Sequence, residues 1–338
     1  MFFSHFKKDL LEIIKIRIET FSQITSSFLQ VTRLACGGFT FAVRLNHTMS
    51  DAQGIAQFLN AVGEMARGKP TPTMHPAWAR ELLSARNPPS VKLDHGEYDT
   101  VPESQRTLFP ADEQLVHKSF FFGPKDITTL KRKVPIPCTS FEVLAAFIWR
   151  ARTIALCLDP DDELRFMFYI NVRSKMGPNF PAGYYGNVLV HPVVLSSVKK
   201  LCESPLSYAV ELIKKAKAKA TAKYIKSVAN LMALREWPPV AMNGVRRVYL
   251  VSDNTKAGYA EVDYGWGTAV YGGPATGGFD ALPGLLSFFV AFTNEQGERG
   301  TVVPMCLPKA AMKNFIVEIE KFSQVPIMKP RKKILAAL

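Results

Sequence analysis

Between Gly37 and Gly54 the chain reads GGFTFAVRLNHTMSDAQG, and inside this stretch the apolar period changes from that of a strand to that of a helix. Phe39, Phe41, Val43 and Leu45 alternate with Thr40, Ala42 and Arg44, which predicts a strand. The alternation stops at Asn46-His47. Ser50-Asp51-Ala52-Gln53 then matches the S-x-x-Q capping box, with Ser50 as the cap. Ile55, Phe58, Leu59, Val62 and Met65 follow at helical spacing, and Gly68 is the expected C-terminal cap. A strand, a tight turn and a helix are thereby set in order, with one histidine just ahead of a helix N-terminus. An imidazole held there, with an unperturbed pKa of about 6.5, suits a general base at neutral pH. Alone, H-x-x-x-D is a weak motif, and an isolated histidine is more often a packed or surface residue than a catalyst.

The rest of the chain alternates strand and helix patterns, which predicts an α/β fold. Strands are expected at 118–122, 164–173, 245–252 and 284–293, and in TVVPMCL. In the second of these Leu164, Phe166, Phe168, Ile170 and Val172 alternate with polar neighbours, and Arg173 ends the strand on its polar side. Helices are expected at 127–133, behind the capping box Thr139-Ser140-Phe141-Glu142, from a Ser204-Pro205 cap to about 234, and at 309–323. Six prolines between Pro70 and Pro102, with few periodic apolar runs, mark an extended connection. The boundaries that follow are an N-terminal part at 1–86, a linker at 87–113 and a C-terminal domain at 114–338.

A length of 338 residues accommodates two domains with sizeable cores, and 47% apolar with 21% charged residues is ordinary for a soluble globular protein. No apolar run reaches the ~18 residues of a membrane span. Cys36, Cys138, Cys157, Cys202 and Cys306 are scattered without C-x-x-C or Cys/His spacing, which argues against zinc or a disulfide framework and suits a reducing, cytoplasmic location. Cys36 and Cys306 sit in strand-like apolar contexts expected to bury an inert thiol. The net charge of +13 favours an anionic partner, with basic runs at 214–226 and 329–333. Neither run carries an RNA-binding signature with aromatics interleaved as stacking platforms, so nucleic acid is not expected as a partner.

Far downstream stands Asp263-Tyr264-Gly265-Trp266-Gly267, in EVDYGWGTAVYGGP. HTMSD followed by DYGWG resembles the BAHD family of plant acyl-CoA-dependent acyltransferases, whose pattern is HxxxD followed by DFGWG. RLNHTMSDAQG, AVGEMARG, ARNPP, SFEVLAAFIWR, NVRSK, GYYGN and YLVSD resemble its alcohol acyltransferase and benzyl alcohol O-benzoyltransferase branch. The resemblance runs from about Phe28 onward. It implies a two-domain CoA-dependent acyltransferase fold, mixed sheets flanked by helices, with the N-terminal domain incomplete because His47 stands so near the start. Residues 1–27 match no part of that pattern and do not read as a signal peptide.

The resemblance further implies acyl transfer from acyl-CoA, a co-substrate and not a resident cofactor, to a small-molecule alcohol, by a chain expected to be monomeric and bound to neither nucleic acid nor membrane. Acetyl-CoA or benzoyl-CoA and a benzyl or alkyl alcohol are the expected substrates. His47 is the expected base and Trp266 a candidate oxyanion donor, the alternative for Trp266 being a packing role. Asp51 is expected to pair with Arg173, while Asp263, Gly265 and Gly267 shape a loop. Ser252-Asp253, read as a loop, and Thr139-Ser140 are the expected CoA-channel positions. No metal site is expected. A catalytically inactive remnant that binds CoA or a partner is the alternative function.

Overall fold

The structure, a computed structural model, describes residues 13–19, 26–99, 109, 113–235, 246–275 and 283–322. Most of the unusual N-terminal segment, the linker at 100–108 and 110–112, and the basic run at 329–333 lie outside the described residues.

The N-terminal part is an antiparallel sheet in the order β1 (Ile13–Glu19), β2 (Ser26–Arg33), β3 (Phe39–Arg44), followed by helix α1 (Ala52–Ala66). Short 3-10 turns at Arg80–Leu83 and Gly96–Tyr98 punctuate the crossover. Buried polar contacts tie it to the C-terminal domain. Arg86 N donates to Asn230 Oδ1 (3.0 Å), His95 Nε2 meets Ser227 Oγ (2.8 Å), and Glu97 accepts from Tyr224 OH (2.5 Å).

In the C-terminal domain come β4 (Leu115–Phe122), α2 (Pro124–Arg132), α3 (Ser140–Ala155), β5 (Glu163–Phe168), β6 (Ile170–Asn171), β7 (Leu189–Val190), β8 (Val193–Ser197), α4 (Val198–Glu203), α5 (Leu206–Lys219), α6 (Ala222–Leu234), β9 (Val248–Asp253), β10 (Leu286–Thr293), β11 (Arg299–Pro308) and α7 (Lys309–Phe322). Six strands form one mixed sheet in the order β4-β11-β10-β9-β5-β8, with β5, β9 and β10 parallel. Helix α3 is apolar nearly all round, as a helix enclosed on every side must be. Its Trp149 stacks on Phe166 of the sheet at 4.9 Å, while α2, α5 and α7 cover its other flanks. Met167 on the opposite face of β5 is buried with Leu250 and Leu286. Both faces of the sheet's centre are therefore covered, as parallel strands require.

Three expectations change. The strand at 164–173 breaks after Phe168: Ile170–Asn171 pairs with β7, and Arg173 lies in a 3-10 turn rather than at a strand end. The helix expected over 204–234 is two helices, because Ala220 leaves helical geometry and Thr221 caps α6 by accepting from Tyr224 N (3.2 Å). Cys36 is exposed, on the turn joining β2 to β3, whereas Cys306 is buried as expected.

Candidate active site

His47 lies three residues past the end of β3, in a turn that closes on itself. Asn46 Oδ1 accepts from Thr48 N (2.9 Å) and Thr48 Oγ1 (2.8 Å), and Asn46 O accepts from Met49 N (3.0 Å). The C-terminal domain and the crossover grip the same turn. Asn187 Nδ2 donates to His47 O (2.8 Å), Arg80 donates to the carbonyls of Thr48 and Met49, and Ser50 Oγ donates to Tyr185 O (2.9 Å). The backbone is thus fixed on several sides, while the His47 side chain is exposed and its ring nitrogens bond to none of the described residues.

Asp51 turns the other way and is 1% exposed. It, not Ser50, caps α1: Asp51 Oδ1 accepts from Gly54 N (3.1 Å), while the Ser50 hydroxyl is drawn to Tyr185 O. Arg173 meets the carboxylate with two nitrogens, at 2.8 and 2.9 Å, and Val188 N donates to Oδ2 (3.1 Å). The guanidinium also donates to Tyr184 O (3.1 Å) and Gly186 O (2.6 Å). Asp51 and Arg173 are therefore brought together in a planar, two-pronged pair of the kind only arginine forms.

Helix α1 lies on the C-terminal domain by close backbone approach. A Cβ on Gly54 would fall 1.9 Å from Tyr185 O, and one on Gly63 2.4 Å from Asp263 O. Between them Gln57 donates to Gly183 O (3.1 Å) and Asn60 to Gly258 O (2.9 Å). The apolar stripe of α1 is partly open, with Phe58 43% and Met65 54% exposed.

Asp263 begins a loop folded around its own carboxylate, Oδ1 accepting from Gly265 N (2.7 Å) and Gly267 N (3.0 Å). Both glycines hold positive φ, 104° and 101°, which only glycine adopts at little cost. Arg67, at the end of α1, donates to Asp263 O. Tyr264 packs on Phe41 and Phe39, and burial pushes its hydroxyl up to about 12. Trp266 is 82% exposed and meets Phe39 edge-on at 5.5 Å. Phe39 opens β3, whose five steps span roughly 17 Å at ~3.3 Å per residue, and His47 lies in the turn beyond its other end. Among the described residues the ring contact of Trp266 is with Phe39.

Ser252 and Asp253 close β9 rather than forming a loop. Asp253 Oδ1 accepts from Thr255 N (2.9 Å) and Thr255 Oγ1 (2.6 Å). Thr139 caps α3 reciprocally with Glu142, and Ser140 is exposed in the first turn. Phe141 touches Phe168, at the end of β5, and Phe289, which pairs with Asp253. The four positions therefore flank the carboxyl ends of the parallel strands, where ligands of open α/β sheets bind, and the α3 N-terminus adds amide donors suited to an anion. The segments that grip α1 also follow β5 (residues 183–188) and β9 (residues 258–263).

Asn187, Tyr185, Gly54, Gly63 and Arg80 were not singled out by sequence reasoning. GYYGN, the run 183–187, was visible as a motif; its use as a set of carbonyls and one amide around α1 was not. Among the described residues no group of three or more His, Cys, Asp or Glu side chains is placed to hold a metal, and no helix is long and apolar enough to cross a membrane.

A model of the Transferase family matches residues 9–322. A benzyl alcohol O-benzoyltransferase of Petunia hybrida is 54% identical over 295 residues, covering 86% of this chain and 63% of that protein. One of Nicotiana tabacum is 52% identical, covering 88% and 64%, and alcohol acyltransferase 16 of Actinidia chinensis var. chinensis is 46% identical, also covering 88% and 64%. The chain thus spans about 64% of the length of these relatives. Among solved structures, vinorine synthase superposes with a TM-score of 0.63 at 18% identity, over 89% of this chain and 67% of that one. TRI101 of F. graminearum, complexed with ethyl coenzyme A, gives 0.65 at 17% identity, over 86% and 67%. These two share the fold.

Proposed function

The chain belongs to the Transferase family, the BAHD acyltransferases, and from that premise we propose that it transfers an acyl group from acyl-CoA to the hydroxyl of a small alcohol. A benzyl or alkyl alcohol as acceptor and benzoyl-CoA or acetyl-CoA as donor are the substrates suggested by the names of the relatives. One observation carries the reading. Asp51 is fully engaged with Arg173, Gly54 and Val188, so the carboxylate holds the turn and leaves the exposed imidazole of His47 unengaged.

In this reading His47 takes the proton of the alcohol as its oxygen attacks the thioester carbonyl. The C–S bond of the tetrahedral intermediate then breaks, and the imidazolium returns the proton to the departing CoA thiolate. A positioned base is worth typically ~10²–10⁴-fold. Both substrates bind together, so no acyl-enzyme forms. Ser252, Asp253, Thr139 and Ser140 flank the CoA channel, and the amides at the start of α3 favour its negative charge. Trp266, whose ring meets Phe39 at 5.5 Å, is kept as the candidate oxyanion donor, with packing as the alternative. The division at 87–113 is kept, with a cytoplasmic monomer as the working form.

A second reading is a catalytically inactive chain that binds CoA or a partner. Ester formation from benzyl alcohol with benzoyl-CoA or acetyl-CoA, assayed beside His47→Ala, separates the two. Turnover lost in the variant supports the first. A folded chain that binds CoA without turnover sinks it.

A further inference from the structure

Arg80 lies on the crossover, 33 residues after the histidine it serves. Its Nη1 donates to Thr48 O (3.2 Å) and its Nη2 to Met49 O (2.8 Å), the two residues that follow His47. Neither carbonyl belongs to the hydrogen-bond ladder of α1, which begins at Ala52, so without Arg80 both would turn to solvent. The guanidinium is also fixed from behind. Its carbon sits 3.9 Å from the centre of the Trp78 ring, and Trp78 in turn packs on Tyr185 at 5.7 Å. Tyr185 is the residue whose carbonyl accepts from Ser50 and limits position 54 to glycine. Two further features show that this aim is maintained against a cost. Ala79, directly before Arg80, is held at φ 28°, a left-handed conformation that a residue with a Cβ adopts only under constraint. Among the described residues Arg80 Nε, which is buried, meets no hydrogen-bond partner, so the side chain satisfies the turn at the expense of one of its own donors.

We propose that Arg80 is a positioning residue: it clamps the Thr48 and Met49 carbonyls and so fixes the backbone on which His47 is presented. It reaches no reacting atom and acts through the turn. The crossover that carries it is itself locked to α6 by Asn230, Ser227 and Tyr224, so the clamp is anchored in the C-terminal domain. The catalytic half of the inference rests on His47 acting as the base; the clamp itself does not.

The test uses the full chain with Arg80→Ala and Arg80→Lys. Amide hydrogen exchange is followed at Met49, whose N–H closes the turn on Asn46 O (3.0 Å). Arg80→Ala is expected to speed exchange by about tenfold or more over residues 46–51 alone, since bonds from a charged donor are lost. Arg80→Lys, which retains a cation but not the flat fork over Trp78, is expected to fall between. Unchanged exchange, or an increase spread evenly over the chain, overturns the clamp; if Arg80→Ala does not fold, the lysine variant decides by the same criterion. In turnover, kcat is expected to drop ~10–100-fold with KM for acyl-CoA unchanged. Faster local exchange with kcat unaltered overturns the positioning role. A wild-type chain without turnover sinks the acyl-transfer reading, and the exchange measurement then decides the clamp by itself.

Discussion

The pair Asp51–Arg173 makes a prediction whose asymmetry is set by the remaining partners of each side. In Arg173→Met the carboxylate stays buried, 1% exposed, with only the amides of Gly54 and Val188 left to it. That is an uncompensated interior charge, and breaking such a pair costs about 3–5 kcal/mol. In Asp51→Asn the guanidinium side chain, 10% exposed, keeps the carbonyls of Tyr184 and Gly186. Its loss is that of charged hydrogen bonds, about 1.5–3 kcal/mol. The amide of the asparagine must also point one of its N–H groups at a donor, which places this variant toward the upper part of that range.

Urea unfolding of the two single variants and of Asp51→Asn/Arg173→Met measures both the order and the coupling. Arg173→Met is expected to be the less stable single variant, and the double variant to lose less than the sum by about 1–3 kcal/mol. Because the pair is shielded from solvent, the coupling is expected to persist at 1 M salt, where exposed pairs are screened within ~3 Å. Additivity within ~0.5 kcal/mol, or an Asp51→Asn chain less stable than Arg173→Met, would refute the reasoning.

Three further outcomes are expected. Gly54→Ala, which in an open helix would gain ~1 kcal/mol of propensity, is expected to lose about 1–3 kcal/mol net, because its Cβ would stand 1.9 Å from Tyr185 O and displace the Ser50 bond; a raised melting temperature would contradict the close approach. Trp266→Ala is expected to shift stability by under ~1 kcal/mol, since the ring is 82% exposed, and its turnover decides the role: a loss equal to that of His47→Ala supports the oxyanion donor, and turnover far above it supports packing. His191, ringed by Tyr98 and Tyr169 and with a buried Nε2 that meets no partner among the described residues, has its pKa pushed down by burial. The unfolded chain takes that proton near pH ~6.5 and the folded one only lower, so stability is full above ~6.5 and falls as pH drops through the folded value. Melting of His191→Phe between pH 5 and 7 is expected to show a flatter profile than wild type; parallel profiles would assign the slope to other groups.

What the sequence disclosed and what it concealed follow from the range of each force. Alternation over Phe39 to Leu45 and the reciprocal cap of Thr139 and Glu142 are local, and the structure reproduces them. The cap of α1 was misplaced by one residue because serine and aspartate are equal caps in isolation. A tertiary partner, Tyr185 O, drew Ser50 away. The break after Phe168 was hidden because Ile170 and Val172 continue the strand pattern, while β7, which captures Ile170–Asn171, arrives only later in the chain. The break at Ala220 was legible, since Thr221 is a cap residue, but the basic run around it reads as one helix. The pairing of Asp51 with Arg173 came from resemblance. Its geometry depends on a guanidinium that periodicity cannot place, and Arg80, Asn187 and Gly63 escaped for the same reason.

The face by which α1 meets the C-terminal domain links HTMSD to DYGWG. The apolar stripe through Phe58 and Met65 suggests a helix that buries grease, yet the face that fits the C-terminal domain is the one bearing Gly54, Gln57, Asn60 and Gly63. Its partners are backbone carbonyls at 183, 185, 258 and 263, so the contact is specified by absent side chains and by amide donors, not by apolar area. Asp263 is both the last of those carbonyls and the first residue of the downstream motif. Its carboxylate folds the loop, and the loop's aromatic residues pack on Phe39 and Phe41, in the strand that leads to His47. The end of the helix that follows HTMSD thereby meets the first residue of DYGWG across 196 residues of sequence, from Arg67 to Asp263. The downstream motif braces the strand and helix between which His47 is held.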